Sequence, residues 1–302
     1  MTTATQLLSP ARPSLATVAE LLKPITWFPP MWAFGCGVVS SSVPVTGHWA
    51  RIVAGIALAG PLVCASSQAA NDWFDREVDA INEPQRPIPS GRMPGRWGLS
   101  IAVLWTVLSL MVASTLGTWG FGAGVVGLLL AWAYSAPPLR LKLNGWWGNA
   151  ACGLCYEGLA WITGAAVMIN GAMPDPRTLV LALLYSIGAH GIMTLNDFKA
   201  IEGDRQMGVR SLPVQLGADG AALIACTLML LPQVLVAAFL LKWGASWQPG
   251  AVMGLIVAQA LLMWRFLADP VKRAIWYSAL GVNFYVAGML VSAFAVRGLA
   301  PA

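Results

Sequence analysis

The stretch Ile52–Arg92, IVAGIALAGPLVCASSQAANDWFDREVDAINEPQRPIPSGR, changes character at Asn71. Up to Ala70 it carries no charge. From Asn71 to Arg92 it packs five carboxylates and three arginines into 22 positions. A run of about 20 apolar residues is what an α-helix needs to cross the hydrocarbon core of a bilayer. The stretch therefore reads as a membrane span that ends in an acidic, polar loop.

The whole chain supports that reading. Of its 302 residues 57% are hydrophobic and only 10% charged, against about 25% charged in a soluble domain. Its fifteen tryptophans suit the bilayer interface. The first 25 residues lack the long apolar run of a secretory signal and read as a cytoplasmic tail with a short surface helix. Cys152 and Cys155 form a C-x-x-C with no second pair beside it, so they are expected to serve packing rather than zinc or redox chemistry.

Nine candidate spans follow: 26–45, 51–72, 98–117, 119–137, 148–170, 178–197, 218–241, 246–265 and 274–296. The apolar runs are continuous rather than alternating, which excludes a β-barrel. The third and fourth spans are joined so tightly around Gly117-Thr118-Trp119-Gly120 that they must form a hairpin. Gly120, Gly122 and Gly124 read as helix-packing positions, since no strand precedes them as a nucleotide loop would require. With the N-terminus inside, the inner segments hold 14 of the 18 Lys and Arg residues and the outer ones 4, as the positive-inside rule demands. The expected fold is all-α: nine transmembrane helices around a central cavity, N-terminus cytoplasmic and C-terminus periplasmic. The chain divides into a tail, 1–25, and a membrane domain, 26–302, with catalytic loops at 73–97 and 198–217.

The acidic stretch has an echo. Asn71-Asp72 ends the second span and Asn196-Asp197 the sixth; Asp79 and Asp204 each follow seven residues later, and Arg86-Pro-Ile-Pro89 meets Arg210-Ser-Leu-Pro213. Both copies fall on the same side of the membrane. Asp72, Asp75 and Asp79, spaced i, i+3, i+7, lie within about 60° of one another on a helix. Asp197 and Asp204 share a face in the same way. Like charges on one face repel, and a divalent cation reverses that cost. Carboxylate oxygens suit Mg2+, which also takes phosphate oxygens from a substrate. Arg86, Arg140, Lys142, Lys199, Arg205 and Arg210 are candidates for the phosphate itself.

Acidic rims above an apolar cavity point to a lipid diphosphate whose allylic carbon–oxygen bond ionises. Metal and basic groups would stabilise the departing diphosphate. Trp73, Phe74 and Tyr134 could steady the allylic cation.

The motif N-D-x-x-D-x-x-x-D, complete at Asn71, Asp72, Asp75 and Asp79, resembles that of the UbiA superfamily of intramembrane prenyltransferases. "DREVDAINEPQRPIPSG", "YSAPPLRLKLNGWWGN" and "TLNDFKAIEGDRQMGVRSLPV" look like its chlorophyll and bacteriochlorophyll synthase branch, the bacterial members most closely. The resemblance implies Mg2+-dependent transfer of a C20 prenyl group, geranylgeranyl or phytyl, to the propionate of chlorophyllide or bacteriochlorophyllide. It implies two Mg2+ ions held by Asp72, Asp75, Asp79, Asp197 and Asp204. The diphosphate would be met by Asn71, Arg86, Tyr134, Arg140, Lys142, Asn196, Lys199, Arg205 and Arg210. It also implies a bacterial inner membrane, with pigment-biosynthesis or photosystem-assembly proteins as partners and no nucleic acid. One departure stands out: many members carry D-x-x-x-D in the second motif, and the earlier Asp falls at Ala200 here.

Prenyl transfer to a quinone precursor or to haem is the nearest alternative. A transporter is a remoter one, since transporter sites sit near the bilayer midplane and these acids lie at span ends. Within the spans, Glu157 and His190 are expensive polar residues. Each reads as a pigment contact or a structural hydrogen bond, with Glu157 either paired to a base or protonated.

Overall fold

The structure is a computed structural model that describes residues 12–299. The first eleven residues of the expected tail and the C-terminal Ala302 lie outside the described residues. Within them the chain is helical, and the one β-like pairing is an isolated bridge between Asn144 and Arg210.

A surface helix, α1 (Leu15–Leu22), is capped by the Ser14 hydroxyl, which accepts from the Thr17 amide at 3.1 Å. Such a cap satisfies an amide that a helix start leaves open. Leu21 and Leu22 bury themselves against Ala65, Ala69 and Met93, and Leu15 stays exposed. Then come α2 (Phe28–Ser40), α3 (Trp49–Asn82), α4 (Trp97–Ala113), α5 (Gly117–Ser135), α6 (Gly145–Met168) and α7 (Pro176–Asp197). A short α8 (Ile201–Gln206) precedes α9 (Leu212–Lys242), α10 (Gln248–Leu267) and α11 (Pro270–Arg297).

Seven helical stretches among the described residues are long and apolar enough to cross a membrane. One of them, Trp97–Ser135, has 39 residues, far beyond a single crossing. It folds back on itself where Ser114–Leu116 tightens and Gly117 adopts φ 81°, so that α4 packs against α5. Gly117 lies against Gly171, and a Cβ there would come within 2.5 Å of its Cα. The hairpin raises the count to eight. The ninth segment, α2, has 13 residues, shorter than the expected 26–45, because the chain leaves the helix at Ser40 and Ser42 turns to φ 63°. Nine segments are thus present among the described residues, with α2 too short to span alone. Gly120 and Gly124 are buried at helix contacts as expected, whereas Gly122 faces open space.

Two helices carry π-helical segments, Leu58–Cys64 in α3 and Leu154–Leu159 in α6. Pro61, which lacks an amide hydrogen, sits in the first. Such bulges re-aim side chains; here Val63, Cys64, Cys155 and Tyr156 all line one cavity. On the outer surface Val107, Met111, Leu129, Val257 and Leu261 stay exposed, as lipid-facing residues do.

Candidate active site

The first acidic motif lies on one continuous helix, so its spacing holds. Asp72 and Asp79 are buried, and Asp75 is partly covered. Each carboxylate meets cations. Arg86 Nη1 donates to Asp79 Oδ2 at 2.8 Å and lies 3.5 Å from Asp72 Oδ1, while its Nε pairs with Glu83. Lys142 pairs with Asp75, and Arg140 Nη2 is 3.6 Å from the same oxygen. Lys23, just beyond α1, places Nζ 2.6 Å from Asp72 Oδ1. Asn71 Nδ2 donates to Asp75 Oδ2 at 3.1 Å and to the Ser135 hydroxyl at 3.2 Å.

The second motif is built differently. Helix α7 ends at Asp197 and a turn intervenes before α8, so Asp197 and Asp204 are not on one helix face. The turn nevertheless brings both into one polar cavity with Asp75, Asp79, Arg86, Arg140 and Lys142. Ala200 lines that cavity too, so a methyl group stands at the position where the D-x-x-x-D pattern would place its earlier carboxylate. Asn149 Nδ2 donates to Asp197 Oδ2 at 3.2 Å and to Thr194 Oγ1 at the same distance. Neither Asp197 nor Asp204 has a basic residue within ion-pair distance among the described residues. Burial pushes the Asp204 carboxyl above its ordinary range. Burial also holds the Lys142 ammonium below the ordinary lysine value, although Asp75 pulls the other way.

Four expected phosphate contacts point elsewhere. Asn196 and Lys199 are exposed and do not line this chamber. Arg205 is exposed and faces Glu202 at 3.4 Å. Arg210 works through its backbone: its amide donates to Leu143 O at 2.9 Å, and its carbonyl accepts from Gly145 N at 2.8 Å. This bridge ties the loop after α5 to the loop after α8. Gly145 has no room for a side chain, since a Cβ would lie 2.7 Å from Leu212 N. Trp73 is covered by the Arg76 guanidinium at 4.7 Å, and Phe74 packs edge-on to Trp132 at 6.2 Å, so neither faces the cavity. Tyr134 does.

Below the polar chamber lies an apolar cavity of about 180 Å³. Asn71 and Tyr134 line both. Its walls include Val63, Cys64, Leu130, Cys155 and Tyr156; Gln68 Nε2 donates to the Tyr156 hydroxyl at 3.3 Å. The five cysteines are free thiols, and Cys64, Cys152 and Cys155 line this cavity. Glu157 and His190 are buried and line neither cavity. Glu157 has no basic partner among the described residues, and its Oε2 has no hydrogen bond. His190 Nε2 lies 3.2 Å from Trp146 O.

The donor set suits Mg2+. It is all oxygen on the acidic rims, and Asp72 Oδ2 is buried with no hydrogen-bond partner. No three His, Cys, Asp or Glu side chains among the described residues converge into a ready cage. Mg2+ does not need one: it keeps several waters and is held by one or two carboxylates together with substrate phosphates.

The pattern of the UbiA prenyltransferase family matches residues 26–292. The chain belongs to the UbiA prenyltransferase family. It is 58% identical over 287 residues to the bacteriochlorophyll synthase 33 kDa chain of Cereibacter sphaeroides, covering 95% of both chains. It is 40% identical to the chloroplastic chlorophyll synthase of Avena sativa, covering 91% of this chain and 75% of that one. In fold it is similar to a UbiA homologue from Archaeoglobus fulgidus bound to DMAPP and Mg2+, with a TM-score of 0.69 at 20% identity, covering 90% of this chain and 99% of the other. This UbiA-family chain is a multi-pass membrane prenyltransferase.

Proposed function

We propose that the chain transfers a C20 prenyl group, geranylgeranyl or phytyl, from its diphosphate to the propionate carboxylate of bacteriochlorophyllide. The observation that carries the reading is the junction at Asn71 and Tyr134, where a chamber rimmed by carboxylates and basic side chains opens onto an apolar cavity. An amphiphile with a diphosphate head and a hydrocarbon tail matches both halves. The acceptor follows from the 58% identity to a bacteriochlorophyll synthase chain.

Asp72, Asp75, Asp79, Asp197 and Asp204 would hold two Mg2+ ions, which neutralise charge on the departing diphosphate. Arg86, Arg140 and Lys142 line the chamber with Asp75, Asp79, Asp197 and Asp204, while Asp72 is buried outside its lining, and the three cations would meet the diphosphate oxygens as they gain charge. The C1–O bond breaks and its electron pair leaves with the diphosphate. A propionate oxygen then bonds to C1, giving the ester. The Tyr134 ring borders the reacting carbon, and the apolar walls exclude water that would capture the allylic cation. A carboxylate is already ionised at neutral pH, so no general base is required; no histidine lines either cavity among the described residues. The charge bias of the loops supports a bacterial inner membrane orientation with the site on the cytoplasmic side.

The test is product formation by purified protein with geranylgeranyl diphosphate and Mg2+. The acceptors are bacteriochlorophyllide, chlorophyllide and a quinone precursor, supplied separately. Prenylated bacteriochlorophyllide as the preferred product is expected. A prenylated quinone precursor with no tetrapyrrole ester would overturn the reading.

A further inference from the structure

We infer that Gly127 sets the length of prenyl chain this enzyme accepts, an assignment that rests on the donor reading above. The apolar cavity below Tyr134 does not end there. A second hollow continues it toward the far side of the bundle, lined by Leu58, Gly124, Leu159 and Thr163, and the two share Pro30, Ala59, Val63, Gly127 and Cys155. Gly127 is thus part of the neck between them. A Cβ built on it lies 3.7 Å from Leu159 Cδ1 and 3.8 Å from Val63 Cγ1. Those are ordinary contacts, so a methyl is accommodated without a clash but already narrows the passage between Val63 and Leu159, and a larger side chain fills it.

The lengths agree. Gly127 stands seven residues before Tyr134 on α5, about 10 Å along the axis. An extended chain advances roughly 3.5 Å per three bonds. The eight-carbon backbone of a C10 prenyl group, with seven bonds, therefore spans roughly 8 Å and ends at the neck. The sixteen-carbon backbone of a C20 group, with fifteen bonds, spans roughly 18 Å and must pass it. The absence of a side chain at Gly127 keeps that passage open.

The experiment compares C10, C15 and C20 diphosphates with one tetrapyrrole acceptor for the native enzyme, Gly127→Ala, Gly127→Leu and Gly122→Leu. Gly122 lies on the same helix but faces open space, so its variant controls for a bulkier α5. Gly127→Leu is expected to lower the C20-to-C10 ratio of kcat/KM by about tenfold or more, with Gly127→Ala shifting it less and Gly122→Leu unchanged. If Gly127→Leu does not fold, the ratio for Gly127→Ala decides. An unchanged ratio in a folded Gly127 variant, or equal loss with every donor, overturns the inference. Failure of the native enzyme with every donor would instead overturn the donor reading itself.

Discussion

Lys23 Nζ lies 2.6 Å from Asp72 Oδ1, joining the turn before the first membrane helix to the first carboxylate of the acidic motif. Asp72 is 1% exposed, so its charge is held by Lys23 and by Arg86 at 3.5 Å. Removing one partner of a buried pair commonly costs about 3–5 kcal/mol. Here Arg86 remains and Lys23 is partly open, so Lys23→Gln is expected to cost about 1–2 kcal/mol. A divalent cation at Asp72 can replace the missing charge. Lys23→Gln should therefore gain more in melting temperature from Mg2+ than the native protein does, relative to EDTA. Equal gains in both would contradict this account.

The two acidic rims should respond differently to neutralisation. Asp72→Asn leaves Lys23 and Arg86 without their shared carboxylate, so it should lose both stability and turnover. Asp204 has no cation within ion-pair distance among the described residues, so Asp204→Asn should lose turnover with little change in melting temperature. Loss of leaving-group stabilisation is expected to cost about 10²–10³ in kcat in each case, and EDTA should stop the native reaction. Native-like turnover of Asp204→Asn at saturating Mg2+ would remove it from the site.

How much of this was legible before the structure depends on distance along the chain. Asp72, Asp75 and Asp79 could be placed because a single helix carries them, and helical spacing is a local property. Lys23 could not, since it reaches Asp72 across 49 positions through a left-handed turn at φ 47°. The repeat was misleading in its second copy. It suggested a continuous helix through Asp204, but α7 stops at Asp197, and the new direction of the chain turns Lys199 and Arg205 outward. Arg210 fell at the position of Arg86, yet it was placed by backbone pairing that a side-chain motif does not reveal. Asn149 carried a signal, being a polar residue inside an apolar run. Its partner Asp197 lies 48 positions away.

Alkaline pH should weaken diphosphate binding earlier than an ordinary lysine would allow. Burial lowers the pKa of Lys142, so its positive charge is present below that depressed value and is lost as pH rises through it. Binding of inorganic pyrophosphate, measured by calorimetry across the alkaline range, should fall with that titration. Lys142→Arg keeps its charge throughout and should remove that limb. A limb that persists unchanged in Lys142→Arg belongs to another group.

The orientation can be read directly. Cysteines introduced at the exposed Gln206 and Arg297 lie at opposite ends of the bundle if α9, α10 and α11 each cross once. An impermeant maleimide applied to inside-out vesicles should label Gln206→Cys, and applied to spheroplasts it should label Arg297→Cys. Labelling of both from one side would break the count of crossings.

His190 was a candidate pigment contact, and its surroundings argue for a different role. It is 7% exposed, lines neither cavity, and sits with Nε2 3.2 Å from the Trp146 carbonyl and its ring 5.7 Å from the indole. Trp146 opens α6 between Gly145 and Gly148, both of which border the diphosphate chamber together with Asn149. We expect His190 to act on the site through the first turn of α6, as a positioning residue. His190→Phe fills the space but removes the imidazole hydrogen bond to the Trp146 carbonyl, a loss of about 0.5–1.5 kcal/mol. Melting temperature should fall, and kcat should fall with both substrates' KM little changed, because the turn that holds Asn149 and Asp197 loosens. His190→Gln, which retains an N–H, should recover part of both. A selective rise in the tetrapyrrole KM with native stability would instead mean that the imidazole touches the pigment.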